Sequence, residues 1–196
     1  WARCRAWVRR HSFQSSPASD SLRYHQRALR CRLTDVPESR LLAALLKGWD
    51  RSNVVLLNLL HAIPEGGLDA RALAGSPSIA EMFTHLHHER MVSVAENAPE
   101  HAGAVPAREW DPEPDVPRIA QLLVDSGRRV RDAVLARVET HRALDRDYAH
   151  PIHLLQFLIF HEGYHHGQIK LAMKAAGRPI SDADAGAVTW GVWRAR

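Results

Sequence analysis

Cysteine is nearly absent from the 196 residues: only Cys4 and Cys31 occur, both near the start and in no metal-binding spacing. A disulfide framework and a thiol redox motif have nothing to be built from. Long hydrophobic runs are missing as well. The longest, Leu41–Leu46 and Val54–Leu60, fall far short of the roughly 18 to 20 residues of a membrane-spanning helix. They read as buried parts of a soluble helix. No segment alternates like a strand, no internal repeat appears, and no heptad is sustained. The Arg-rich start has no apolar segment after it, so it does not resemble a signal peptide, and a cytoplasmic protein of bacterial type is expected.

An excess of one charge sign is confined to one end. The chain carries 26 Lys and Arg against 22 Asp and Glu. Residues 1–40 hold nine Arg and three acids, Asp20, Asp35 and Glu38, a net +6. The remainder is therefore slightly acidic, at −2. Basicity gathered in an arm is more often a solvated tail than a nucleic-acid surface, so no nucleic-acid partner is expected. The arm, residues 1–36, mixes Arg, Ser and His with little periodicity and is expected to be mobile. Residues 37–196 suffice for one domain with a sizeable core.

What is abundant is helical periodicity. Leu41, Leu42, Leu45, Leu46, Trp49, Val54, Leu56, Leu57, Leu59 and Leu60 predict a first helix, stopped by Pro64-Glu65-Gly66-Gly67. Ser76-Pro77-Ser78 signals a second start, followed by Ile79, Met82, Phe83 and Leu86 along one stripe. Residues 99–117 contain five prolines and form a long connection. A third helix is predicted from about Val116 to Thr140, and a fourth from Pro151 to about Ala176, ended by Gly177 and Pro179. The fold class is all-α: an up-and-down four-helix bundle.

Histidine is plentiful, with thirteen residues. The informative group is His161-Glu162-Gly163-Tyr164-His165. Two residues four apart lie one turn apart on the same helix face, so His161 and His165 can converge on one ion. They extend the stripe Leu154, Leu158, Ile169 and Ala172. Buried imidazoles need partners, and a metal ion supplies one for both. The alternative is a pair of core histidines satisfied by side chains or water. The same residues spell H-E-x-x-H, in which Glu162 would be the general base of a metallopeptidase. That reading needs a third ligand: Leu171 stands where the metzincin histidine belongs, no Glu follows His165, and the remaining acids, Asp182 and Asp184, lie beyond the helix breaker. Upstream, Thr84-His85-Leu86-His87-His88-Glu89 can supply a third ligand, but helical periodicity does not choose among its histidines.

Four stretches resemble the DinB-like family of bacterial four-helix proteins, over roughly residues 40–194. They are Trp49-Asp50-Arg51-Ser52-Asn53 through Ile63-Pro64-Glu65-Gly66-Gly67-Leu68; Ser78-Ile79-Ala80-Glu81-Met82-Phe83-Thr84-His85; His161-Glu162-Gly163-Tyr164-His165-His166-Gly167-Gln168-Ile169; and Gly177-Arg178-Pro179 with Trp190-Gly191-Val192-Trp193. The resemblance implies a metal triad of His85, His161 and His165, and leaves His87, His88 and His166 at the surface or behind the ligands. Such a triad takes a divalent transition metal, Zn, Ni, Fe or Mn. Similar proteins include metal-dependent transferases and isomerases using thiols such as mycothiol or bacillithiol. The implied function is a thiol-S-transferase or hydrolase acting on a small molecule, with Glu162, Tyr164 and Gln168 as catalytic candidates and a homodimer as the assembly. A non-catalytic, stress-related metal-binding protein is the alternative.

Overall fold

In the computed structural model, residues 38–194 are described; the expected basic arm lies outside them. Four long helices form the expected all-α bundle: α1 (Glu38–His61), α2 (Ile79–Asn97), α3 (Val116–Glu139) and α4 (Pro151–Ala175). Two short helices, α5 (Asp182–Val188) and α6 (Trp190–Arg194), follow. No described helix is long and apolar enough to cross a membrane.

The helix ends follow their sequence signals. Ser78 caps α2 in a reciprocal capping box: its hydroxyl accepts from the Glu81 amide at 3.2 Å, and the Glu81 carboxylate accepts from the Ser78 amide at 2.6 Å. Pro117 and Pro151 occupy the first turns of α3 and α4, where a missing N–H leaves no bond unmade. At the end of α4, Gly177 adopts φ +72°. Its amide donates to Lys174 O, and the Arg178 amide donates to Met173 O, a Schellman ending that needs a left-handed residue.

The directions of the helices follow from which residues share a core. One apolar cluster joins Leu56, Leu59 and Leu60 of α1, Ile79, Phe83 and Leu86 of α2, Ile119 and Leu123 of α3, and Ile169 and Met173 of α4. The other joins Leu42, Leu46 and Trp49, then Val94, then Val130 and Val134, then Leu154 and Leu158. Thus α2 and α3 both run from the first cluster to the second, while α1 and α4 run the other way, so the four-helix bundle does not alternate strictly up and down as expected. Parallel neighbours require a long return. Residues 98–115 can extend to about 60 Å, ample against the roughly 28 Å length of α2. Each fully buried Leu, Ile or Phe in these clusters contributes on the order of 1.5–3 kcal/mol.

A polar layer separates the two clusters at the same level on all four helices. Arg90 of α2 is fully buried and sits 4.8 Å from the Trp49 ring centroid. Its Nε donates to Glu162 Oε1 of α4 at 2.7 Å, and its Nη1 donates to Leu123 O of α3 at 2.7 Å and to Asn53 Oδ1 of α1 at 3.0 Å. Trp49 Nε1 donates to Gly127 O at 2.8 Å. A guanidinium has a fixed fork of donors, so one residue registers four helices against one another.

Candidate metal centre

The three histidines sit beside this layer, toward the cluster that contains Phe83. His85 projects from α2, and His161 and His165 project from successive turns of α4. His85 and His165 are buried, and His161 is half-buried. Their nitrogens lie within 4.8 Å of one another, the arrangement of a metal-ligand group. The Nε2 atoms of His85 and His161 are 3.2 Å apart, as are those of His165 and His161.

These spacings suit a shared cation. Two nitrogens bound at about 2.0–2.1 Å to one tetrahedral ion stand about 3.3 Å apart. The far side of His85 supports the same reading. Its Nδ1 lies 3.0 Å from Glu109 Oε1, so an acid stands beside the ring whose Nε2 meets that of His161. Facing lone pairs at such distances repel, and either a shared ring proton or a metal cation removes the repulsion. His165 is held neutral, its pKa lowered to about 4 first by burial and then by the adjacent His161, with the Gln168 side chain opposing. A neutral imidazole is the form that binds metal.

Aromatic rings back the three histidines. Trp110 stacks on His85 with centroids 4.0 Å apart and planes 5° from parallel. Phe157 stacks on His161 at 5.8 Å. Tyr164 meets His165 edge-on at 5.2 Å.

The residues singled out in the sequence fall into two groups. His85, His161 and His165 come together. Gln168 reaches His165 and also donates from Nε2 to the hydroxyl of Tyr164 at 3.0 Å, so both stand at the margin of the centre, with Tyr164 half exposed. Glu162 is elsewhere: it is engaged by Arg90 and, at 3.4 Å, by the Ser52 hydroxyl. Glu162 and His166 line a separate cavity of about 230 Å³ against Trp190 and Trp193. His87 is buried rather than superficial, its Nδ1–H donating to Leu122 O of α3 at 3.0 Å. Burial lowers its pKa, so it too is held neutral.

Three contributors escape a reading of periodicity: Glu109, Trp110 and Arg90. The first two lie in the connection, where no helical pattern exists. The only signal there is an acid beside a large aromatic among prolines and small residues. Arg90 reads as a surface charge on α2 until its partners are known.

No curated protein and no solved structure gives a significant match. A family model described as the DinB superfamily matches residues 49–169, a span that holds all three histidines and the polar layer. The chain belongs to the DinB superfamily.

Proposed function

We propose that His85, His161 and His165 hold one divalent transition metal ion, and that the protein is a metal-dependent enzyme of thiol-S-transferase or hydrolase type acting on a small molecule. The observation that carries the metal-binding part is that the Nε2 atoms of His85 and His165 each stand 3.2 Å from that of His161, with all three ligand atoms within 4.8 Å of one another. Three protein ligands leave coordination positions for water or substrate, as in a reactive site rather than a closed structural one. When bound, such an ion supplies a Lewis acid, which lowers the pKa of a coordinated water or thiol and polarises an electrophile.

The chain supplies the rest. Burial keeps His165 neutral at physiological pH. Trp110 and Phe157 hold the imidazoles of His85 and His161 against rotation. The half-exposed hydroxyl of Tyr164, which accepts from Gln168, is the candidate to hold or pass a proton there. Glu162 is not placed for that task, because its carboxylate is committed to Arg90; this weakens the metallopeptidase reading. Thiol chemistry is suggested by the family resemblance. Two apolar clusters and the Arg90 layer already hold the bundle together, which favours a reactive ion over one that is needed for folding.

Elemental analysis of protein purified without a nickel column, alongside His85→Ala and His161→Ala, tests the reading. The expected result is about one transition metal per chain, lost in both variants. A native chain that takes up no metal even on reconstitution overturns it. With metal in place, turnover of electrophiles with low-molecular-weight thiols is the next measurement.

A further inference from the structure

The cavity of about 230 Å³ lies apart from the three histidines, lined by residues of α1, α4 and the C-terminal α6. We propose that it binds a small planar aromatic molecule carrying one hydrogen-bond donor, of phenol or indole type, which packs beside Trp190 and Trp193 and donates to Glu162 Oε2.

Size sets the first limit. A cavity of about 150 Å³ accepts benzene, so this one takes a single substituted ring or a compact fused pair. Trp190 and Trp193 line it while remaining 47% and 42% exposed, which leaves indole surface for a ligand, and Ile159 adds an aliphatic wall. Aromatic ligands gain on such surfaces beyond the area they bury. The C-terminal wall is tied to α1, since Arg51 Nη1 donates to Trp193 O at 3.0 Å and Asn58 Nδ2 donates to Val188 O at 2.8 Å. Gly163 leaves the α4 side open, because a Cβ there would meet nothing within 4 Å.

Glu162 supplies the polar contact. Its Oε1 accepts from Arg90 Nε at 2.7 Å. Among the described residues its Oε2 receives only the Ser52 hydroxyl, at 3.4 Å, beyond the range of about 2.5–3.0 Å usual for such bonds. The side chain is 3% exposed and lines the cavity, so a donor there would complete a buried acceptor. Arg90 already balances the carboxylate charge, so a neutral donor is the matching partner, and an anion would meet oxygen lone pairs.

Neither the ligand class nor its test depends on the metal ion. Phenol and toluene are titrated into the full chain and followed by ¹H–¹⁵N spectra. Both should shift the indole N–H signals of Trp190 and Trp193 and the amide of Gly163. Glu162→Gln keeps one acceptor oxygen for Arg90 and replaces the other with an amide N–H. Phenol should then bind about 10-fold more weakly while toluene is unchanged. Gly163→Leu puts a side chain at the open wall and favours the helix, and it should weaken both ligands about 10-fold or more. Phenol shifts that fall elsewhere, or that persist unchanged in Gly163→Leu, overturn the proposal, and this arm decides even if Glu162→Gln does not fold. Phenol affinity that is unchanged in a folded Glu162→Gln, or lost equally with that of toluene, overturns the donor contact and with it the ligand class.

Discussion

Arg90 Nε lies 2.7 Å from Glu162 Oε1, with the two side chains 0% and 3% exposed. Glu162 is the acid of the H-E-x-x-H pattern, and this contact assigns it to the architecture of the bundle. A buried charge that loses its partner keeps its desolvation penalty, and breaking such a pair costs about 3–5 kcal/mol. Glu162→Ala should therefore show that order of loss in urea unfolding. Replacing both residues, as Arg90→Met with Glu162→Leu, should recover much of it, because no buried charge is then orphaned. A loss under about 1 kcal/mol in the single variant would contradict the assignment.

Gly127 occupies the tightest point of the same layer. A Cβ there would meet Asn53 Oδ1 at 3.0 Å and Arg90 Nη1 at 3.2 Å. In an ordinary helix interior, Gly→Ala is stabilising by propensity, by roughly 0.5–1 kcal/mol. Here steric crowding should reverse the sign, with a loss of about 1–3 kcal/mol typical of overpacking. Chemical denaturation of Gly127→Ala gives the sign directly, and a more stable variant would show that Asn53 can yield.

The four helices were legible because their signals are local. Capping at Ser78, proline at positions 117 and 151, and the Gly177 stop depend only on neighbours in the chain. The fourth helix's stripe placed His161 and His165 toward the core by the same logic. Choosing His85 over His87 needed the family resemblance, because both are buried and each meets a polar group on another element: Glu109 for one, Leu122 O for the other. The parallel course of α2 and α3 was not legible either, since a connection of that length permits both directions. Glu109 and Arg90 were invisible for the same reason: their roles are set by partners 24 and 72 positions away.

Acid should act on a second ionic cluster, at the far ends of α2 and α3. Buried Arg137 donates to Glu100 at 2.9 Å and to Asp145 at 2.6 Å. Hydrogen bonds from Arg137 hold both carboxyls below their ordinary values of 4.5 and 3.8. With the folded pKa depressed, the unfolded chain binds more protons in acid. The stabilisation is complete above the ordinary values and is lost as pH falls through them toward the folded ones. Urea midpoints should thus fall between about pH 6 and about pH 3.5, and Glu100→Gln with Asp145→Asn should flatten that slope. An unchanged slope in the double variant would assign the acid sensitivity to other groups.

Metal should stabilise the protein without being required for its fold. Both apolar clusters and the Arg90 layer are built from protein groups alone, so a chelated chain should keep its helical circular dichroism and a cooperative thermal transition. Added Zn²⁺ should bind only the folded arrangement of His85, His161 and His165, and so contribute about 2.7 kcal/mol at a hundred times Kd. For a chain of this size, that amounts to a rise in Tm of roughly 5–10 °C. His165→Ala removes a ligand that burial holds neutral, so its own Tm can shift from lost packing, but the zinc-dependent increment should vanish. The increment is therefore the quantity to compare. Chelation that abolishes helicity outright would instead make the ion a folding element and favour the non-catalytic role for this centre.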